Sequence, residues 1–221
     1  MNAATKHAFR WVFEGFADFY AWMTSQGAWE ANCKEMAARI PGTARHIVDL
    51  GCGPGVSAFE LARTLPQATV IGLDIAARML EQARRRQARS GVADRVGWIR
   101  GDAHHLPFPD AIVDAMTGHS FLYLVPQPEK ALAEIHRCLR PGGRLVLMEP
   151  QHRGGTVRNV LKVSKDPRFL LAMSLWRPVS RMQGQFTRSR LEQTLERAGF
   201  GSLQIEPTLG GLGLLVSAEP R

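Results

Sequence analysis

Residues 48–55 read VDLGCGPG: two apolar-flanked positions, an acid and three glycines within five residues. A backbone without Cβ atoms can approach another group closely, and N–H groups at a strand-to-helix turn can cradle it. What flanks the loop decides the fold. HIVDL (46–50) reads as a short buried strand, Pro54 to Leu65 as a helix, and ATVIGLDI (68–75) as a second strand. Residues 76–89 predict an Ala- and Arg-rich helix stopped by Gly91, followed by a third strand, RVGWIRGDA (95–103), and a fourth, IVDAMTGHS (112–120). A helix over 127–139, a Pro141-Gly142-Gly143 turn and a fifth strand, RLVLMEP (144–150), complete the series. Strands alternating with helices imply right-handed crossovers and a mostly parallel sheet.

The pattern extends outward on both sides. Helices are expected over 5–23 and 28–39, before a Pro41-Gly42 break. The first is crowded with Phe9, Trp11, Phe13, Phe16, Phe19, Tyr20 and Trp22. Residues 151–186 interrupt the alternation; a helix over 187–200, ended by Gly199, resumes it. Strands over about 202–207 and 212–218, separated by Gly210 and Gly211, should pair antiparallel at the sheet edge. One domain is expected: N-terminal helices (1–42), a cofactor-binding core (43–150), an inserted substrate cap (151–186), and a final helix and strand pair (187–221).

The 221 residues, 45% hydrophobic, suffice for one sizeable core. Cys33, Cys52 and Cys138 form no CxxC pair, which fits a reducing cytoplasm. The histidines, including adjacent His104 and His105, lack zinc-ligand spacing, so no metal is expected. The N-terminus shows no signal-peptide pattern, and no apolar stretch of about 18 residues occurs anywhere in the sequence, so no spanning helix is expected. Residues 151–200 hold ten Lys/Arg against three Asp/Glu, most of the chain's net +8. Such a segment is either a solvated surface or an attraction to an anionic substrate, a membrane surface or nucleic acid.

The loop sits at the carboxyl end of the first strand, where parallel sheets bind ligands. Asp74, ending the second strand, can accept hydrogen bonds from ribose hydroxyls, or cap the following helix. Asp102, ending the third, can accept from an adenine amino group, or serve a turn. A nicotinamide fingerprint GxGxxG counted from Gly51 would need glycine where Val56 stands. Asp49 beside the loop would repel a pyrophosphate and welcome an ammonium group. Ribose, adenine and an amino-acid end together describe S-adenosyl-L-methionine.

The same stretches resemble class I S-adenosylmethionine-dependent methyltransferases, in particular the ubiquinone/menaquinone-biosynthesis type of small-molecule enzyme. VDLGCGPG is similar to the family's first motif, VIGLDIAARML to its second, GDAHHLPFPD to the adenine stretch, and LRPGGRLVLMEP to the segment through strand five. The likeness covers roughly 9–150 and 187–218. It implies a Rossmann-like α/β fold: seven strands, mostly parallel, the last antiparallel, with helices on both faces and a helical cap after strand five. It also implies that Gly51, Cys52 and Gly53 line the methionine part, with Asp49 near its ammonium. Ile75 and Met79 would pack on ribose or adenine, and Asp102 and Ala103 would meet the base. His119 would sit beside the sulfonium, or be an ordinary strand-end histidine. Tyr20 would cover the cofactor's carboxylate, or pack a helix; the acids that accompany this tyrosine in the family are replaced by Glu14 and Ala21.

Methyl transfer is an in-line displacement, for which the protein aligns the nucleophile and excludes water. A protonated acceptor would gain from a base. Candidates are His119 and His152, with Tyr123 or Glu149 behind them, each with a structural alternative. In DPRFLLAMSLWRP, Asp166-Pro167 starts a helix that Pro178 should stop. Its apolar residues Phe169, Leu170, Leu171, Met173, Leu175 and Trp176 cover almost every face. The helix is therefore expected to complete the core, or to lid a hydrophobic acceptor, one with an acidic group or presented at a membrane. The expected partner is a small apolar methyl acceptor, modified on O or C, with possible peripheral membrane contact through the basic cap. The alternative acceptor is RNA, another polyanion or a membrane lipid. Nucleic acid is disfavoured, because GHSF stands where base-amine methyltransferases carry an Asn/Asp-Pro-Pro-aromatic run.

Overall fold

The computed structural model describes residue 15 and residues 17–152 and 156–221. Most of the expected first helix, with Phe9, Trp11, Phe13, Glu14 and Phe16, lies outside the described residues. Seven strands form one sheet, ordered β3-β2-β1-β4-β5-β7-β6. They are β1 (His46–Leu50), β2 (Thr69–Asp74), β3 (Val96–Arg100), β4 (Val113–His119), β5 (Leu139–Pro150), β6 (Phe200–Thr208) and β7 (Gly213–Pro220). The first five run parallel, and β7 lies antiparallel between β5 and β6. Helices are α1 (Ala17–Thr24), α2 (Gly27–Ala37), α3 (Val56–Thr64), α4 (Ala77–Gln87), α5 (Pro128–Cys138), α6 (Val157–Val163), α7 (Pro167–Gln183) and α8 (Arg188–Arg197).

The period of two in β1 sorts its side chains between two cores. Val48 and Leu50 meet α5 and α8 on one face through Leu132, Ile135, Leu191 and Leu195. Ile47 faces α2, α3 and α7, with Met36, Leu61 and Phe169 buried there. Strand order reverses between β1 and β4, which opens a crevice at their carboxyl ends.

Three expectations need correction. Strand β5 begins at Leu139, ahead of the Pro141-Gly142-Gly143 turn. Val113 pairs with Leu139 and Ala115 with Arg144, so a register shift absorbs the turn residues. Pro178 does not stop α7, which runs on to Gln183 and ends at Gly184 with φ 99°. Ser174 and Pro178 are both exposed, so water can reach the carbonyl that the proline leaves without a donor. Nor is α7 covered on every face: Phe169, Ala172 and Met173 are buried, whereas Leu171 and Leu175 face out.

Candidate functional site

A cavity of about 440 Å³ lies at the β1/β4 crevice, within the range of small-molecule sites. Its floor is Gly51 and Gly53 after β1; Leu73, Asp74 and Ile75 close β2; Asp102 and Ala103 follow β3. His119 ends β4, Ser120 and Phe121 follow it, and Tyr20 and Met79 close the cavity from α1 and α4. Seven residues that the sequence placed at a cofactor therefore share one cavity from β2, β3, α4 and the loop, and His119 and Tyr20 join them.

The three loop glycines all take positive φ, at 61°, 51° and 85°, for different reasons. A Cβ on Gly55 would stand 2.6 Å from the Trp98 ring, and one on Gly51 would stand 2.7 Å from Phe121. These two accommodate the protein's own aromatic rings. At Gly53 a Cβ would meet only Tyr20, at 3.8 Å, so this glycine leaves the space over the loop open. Asp74 fixes the loop: Gly53 N donates to Oδ2 at 2.9 Å, and Ala76 N to Oδ1 at 2.8 Å.

Asp49 does not open on the cavity. As the residue between Val48 and Leu50 it points to the α3 face, fully buried, where Thr117 Oγ1 donates at 2.8 Å and the Ser57 hydroxyl donates to its other oxygen. Burial raises its pKa to about 6 against the pull of those donors. Cys52 is buried too; its sulfur lies over Gly72, where a Cβ would approach it to 2.9 Å. Cys52 lines a small recess that adjoins the main cavity through Tyr20, Gly51, Gly53 and His119.

Of the proposed bases, only His119 reaches the cavity. Its ring stacks on Trp29 with centroids 4.9 Å apart, and Nε2 lies 3.0 Å from Asn32 Oδ1. The Asn32 amide nitrogen donates to Thr208 Oγ1 at 2.8 Å and to Glu35 at 3.0 Å, so Oδ1 accepts and Nε2 carries the hydrogen. Burial lowers the His119 pKa to about 3, which keeps the ring neutral. Tyr123 is buried outside the cavity lining, and burial raises its pKa well above the ordinary value. His152 is exposed and outside the lining as well. Glu149 is fully buried and accepts the backbone N–H groups of Phe121 (3.2 Å), Leu122 (2.7 Å) and Tyr123 (3.1 Å). It thereby sets the turn behind the cavity wall. Burial, its largest influence, holds its pKa at about 7.

Among the lining residues that sequence reading did not assign, two are polar groups placed to act on a ligand or on the wall, His104 and Ser120. His104 joins Asp102, 2.8 Å from Nδ1, to the Pro126 carbonyl at Nε2, and so ties the β3 end to the far wall. Its position two residues after Asp102 was a usable signal. Ser120 has φ 55°, is buried, and its Oγ finds no partner among the described residues. No sequence signal marks it, since strain and orphaned hydroxyls arise from tertiary placement.

A putative S-adenosyl-L-methionine-dependent methyltransferase of Methanococcus maripaludis superposes with a TM-score of 0.74 at 21% identity, over 94% of this chain and 93% of that one. Fold and loop together are similar to those of class I S-adenosylmethionine-dependent methyltransferase domains. Residues 48–147 match the family described as a methyltransferase domain. A demethylmenaquinone methyltransferase of Symbiobacterium thermophilum is 37% identical over 147 residues, 63% of this chain and 58% of that one. A ubiquinone/menaquinone biosynthesis C-methyltransferase of Paracoccus denitrificans is 36% identical over 128 residues, 58% of this chain. The alignment spans 48% of that relative, so the chain matches about half the length of these curated proteins.

The cofactor of this class is S-adenosylmethionine, and the residues present fit it. The open space over Gly53, the orphaned Ser120 hydroxyl in the lining, and a carboxylate at the end of each of β2 and β3 offer complements to a ligand that is polar at both ends.

Proposed function

We propose that the protein transfers a methyl group from S-adenosylmethionine to a small, largely apolar acceptor, at oxygen or carbon. Asp74 would accept from the ribose hydroxyls, Asp102 and Ala103 would meet the adenine, and Ile75 and Met79 would pack against it. Gly51, Gly53 and Tyr20 would border the methionine part. Asp49, two hydrogen bonds deep beneath the loop, would act on the ammonium through space rather than by contact. The bound cofactor supplies a methyl group already activated on a sulfonium.

The chain's own part is alignment and exclusion of water. The observation that carries the reading is the chemistry of the β4 end. His119 is neutral, held by Asn32 and stacked on Trp29, and burial makes it a poor proton acceptor. Phe121, Leu124 and Val125 continue the same wall. Such a surface suits an acceptor that brings its own nucleophilic carbon or ionised oxygen, as the names of the quinone-methylating relatives also suggest. The test is transfer from labelled S-adenosylmethionine to a panel of quinols, phenolic polyketides, isoprenoids and RNA, with mass spectrometry of the product. Methylation of an apolar acceptor is expected. Methylation of RNA alone would refute the reading.

A further inference from the structure

Six of the eight large apolar side chains left exposed among the described residues lie on three helices, α1, α6 and α7, while Ile112 stands apart just before β4. The six are Phe19 and Trp22 on α1, Leu161 on α6, and Leu171, Leu175 and Met182 on α7, with Trp22 52% and Met182 66% exposed. Ile75, also exposed, stands in the cavity lining beside α1. Helix α1 packs between α4 and α7. Arg168 Nη1 donates to the Ser25 carbonyl at 2.9 Å, and Asp18 lies 4.0 Å from Arg85. The Phe19 and Trp22 rings sit 5.9 Å apart. On α7, positions 171, 175, 178 and 182 form one stripe, opposite the buried Phe169, Ala172, Met173 and Ser180.

Cations rim this apolar surface. Arg84, Arg85 and Arg89 are exposed on and just after α4, as are Lys162, Lys165 and Arg181 along the cap. Two copies meeting face to face would bring like charges together, since residues 151–200 carry ten Lys/Arg and three Asp/Glu in each. A nucleic acid would match the cations but not the leucines and Trp22. An anionic bilayer matches both: aromatic and aliphatic side chains enter the headgroup boundary while lysine and arginine meet lipid phosphates.

We infer that the outer face of α1, α6 and α7 seats the protein on an anionic lipid surface, next to the cavity mouth at Ile75. Its use, a path from membrane to cavity, rests on the apolar-acceptor reading; its test does not. The full chain is sedimented with vesicles of phosphatidylcholine, alone or with about one third phosphatidylglycerol. Binding to the anionic vesicles should be at least about tenfold stronger. It should fall about tenfold or more in Trp22→Ser/Leu175→Ser, and the preference for anionic lipid should vanish in Lys162→Glu/Arg181→Glu. Calorimetric affinity for S-adenosylhomocysteine should stay unchanged in both pairs. Absence of binding to anionic vesicles overturns the inference, as does binding of either pair at the wild-type level. So does a wild-type dimer in light scattering that the apolar pair converts to monomer. If the apolar pair fails to fold, the charge pair decides alone. Wild-type protein that binds vesicles but no S-adenosylhomocysteine would refute the methyltransferase reading and leave the surface standing.

Discussion

At the scale of single residues, two side-chain vacancies answer what the glycine loop is for. Gly53 leaves room above the loop, and Asp74 holds that backbone from below. Asp74→Ala removes the loop's anchor and the proposed ribose acceptor together. It should weaken S-adenosylhomocysteine binding by about 1–3 kcal/mol in calorimetry; unchanged affinity would contradict the ribose role. Gly55 serves packing instead. Gly55→Ala drives a methyl group to 2.6 Å from Trp98 at φ 85°, and should cost about 1–3 kcal/mol in denaturant unfolding. Trp98→Leu in that background should return part of the loss. A fully additive double mutant would show that the ring is not the obstacle.

At the scale of elements, Glu149 couples β5 to the turn that walls the cavity. Its pKa, about 7, and that of Asp49, about 6, lie above the ordinary carboxylate values because both groups are buried. Each therefore binds its proton more tightly in the fold than in the unfolded chain. Their contribution to stability is complete below pH about 4 and is lost as pH rises through 6 to 7. His119, with its pKa depressed to about 3, works in the opposite direction, so the raw pH profile mixes the two. Glu149→Gln isolates one term: the Tm of the wild type relative to this variant should rise as pH falls from 8 to 5. A constant difference would mean that Glu149 does not titrate in this window.

Elements also show where sequence could and could not be read. Parallel strands buried on both faces appear as short apolar runs, so HIVDL, TVIGLD and VDAMTGH were legible, and the acids at the ends of β2 and β3 came with them. Asp49, Tyr123 and His152 were harder because chain position does not tell which way a side chain points. Asp49 alternates to the α3 side, Tyr123 packs outside the lining, and His152 stays in solvent. Pro178 misled because a proline on an exposed helix face frees only a carbonyl that water can satisfy. The His104 link to Pro126 joins residues 22 apart, a pairing that no local pattern encodes.

At the scale of the whole molecule, no helix among the described residues is long and apolar enough to cross a membrane. The apolar and basic surface around α1 and α7 is thus a face rather than a span. A ligand that binds only the folded chain at about 100 times its Kd should add about 2.7 kcal/mol of stability. S-adenosylhomocysteine is expected to do so in thermal unfolding, whereas NAD is expected to leave the transition where it was. The reverse result would replace the assigned cofactor.

The Asn32 amide gathers three distant parts of the chain. It accepts from His119 of β4 and donates to Thr208 of β6, 176 residues further along. The β4 end of the pocket is thus held by a latch that closes only when β6 is in place. Cofactor capture should then be a late event in folding, arriving only after β6 has docked. Protection by ligand should accordingly appear as slower escape from the native state, with the speed of its formation unaltered.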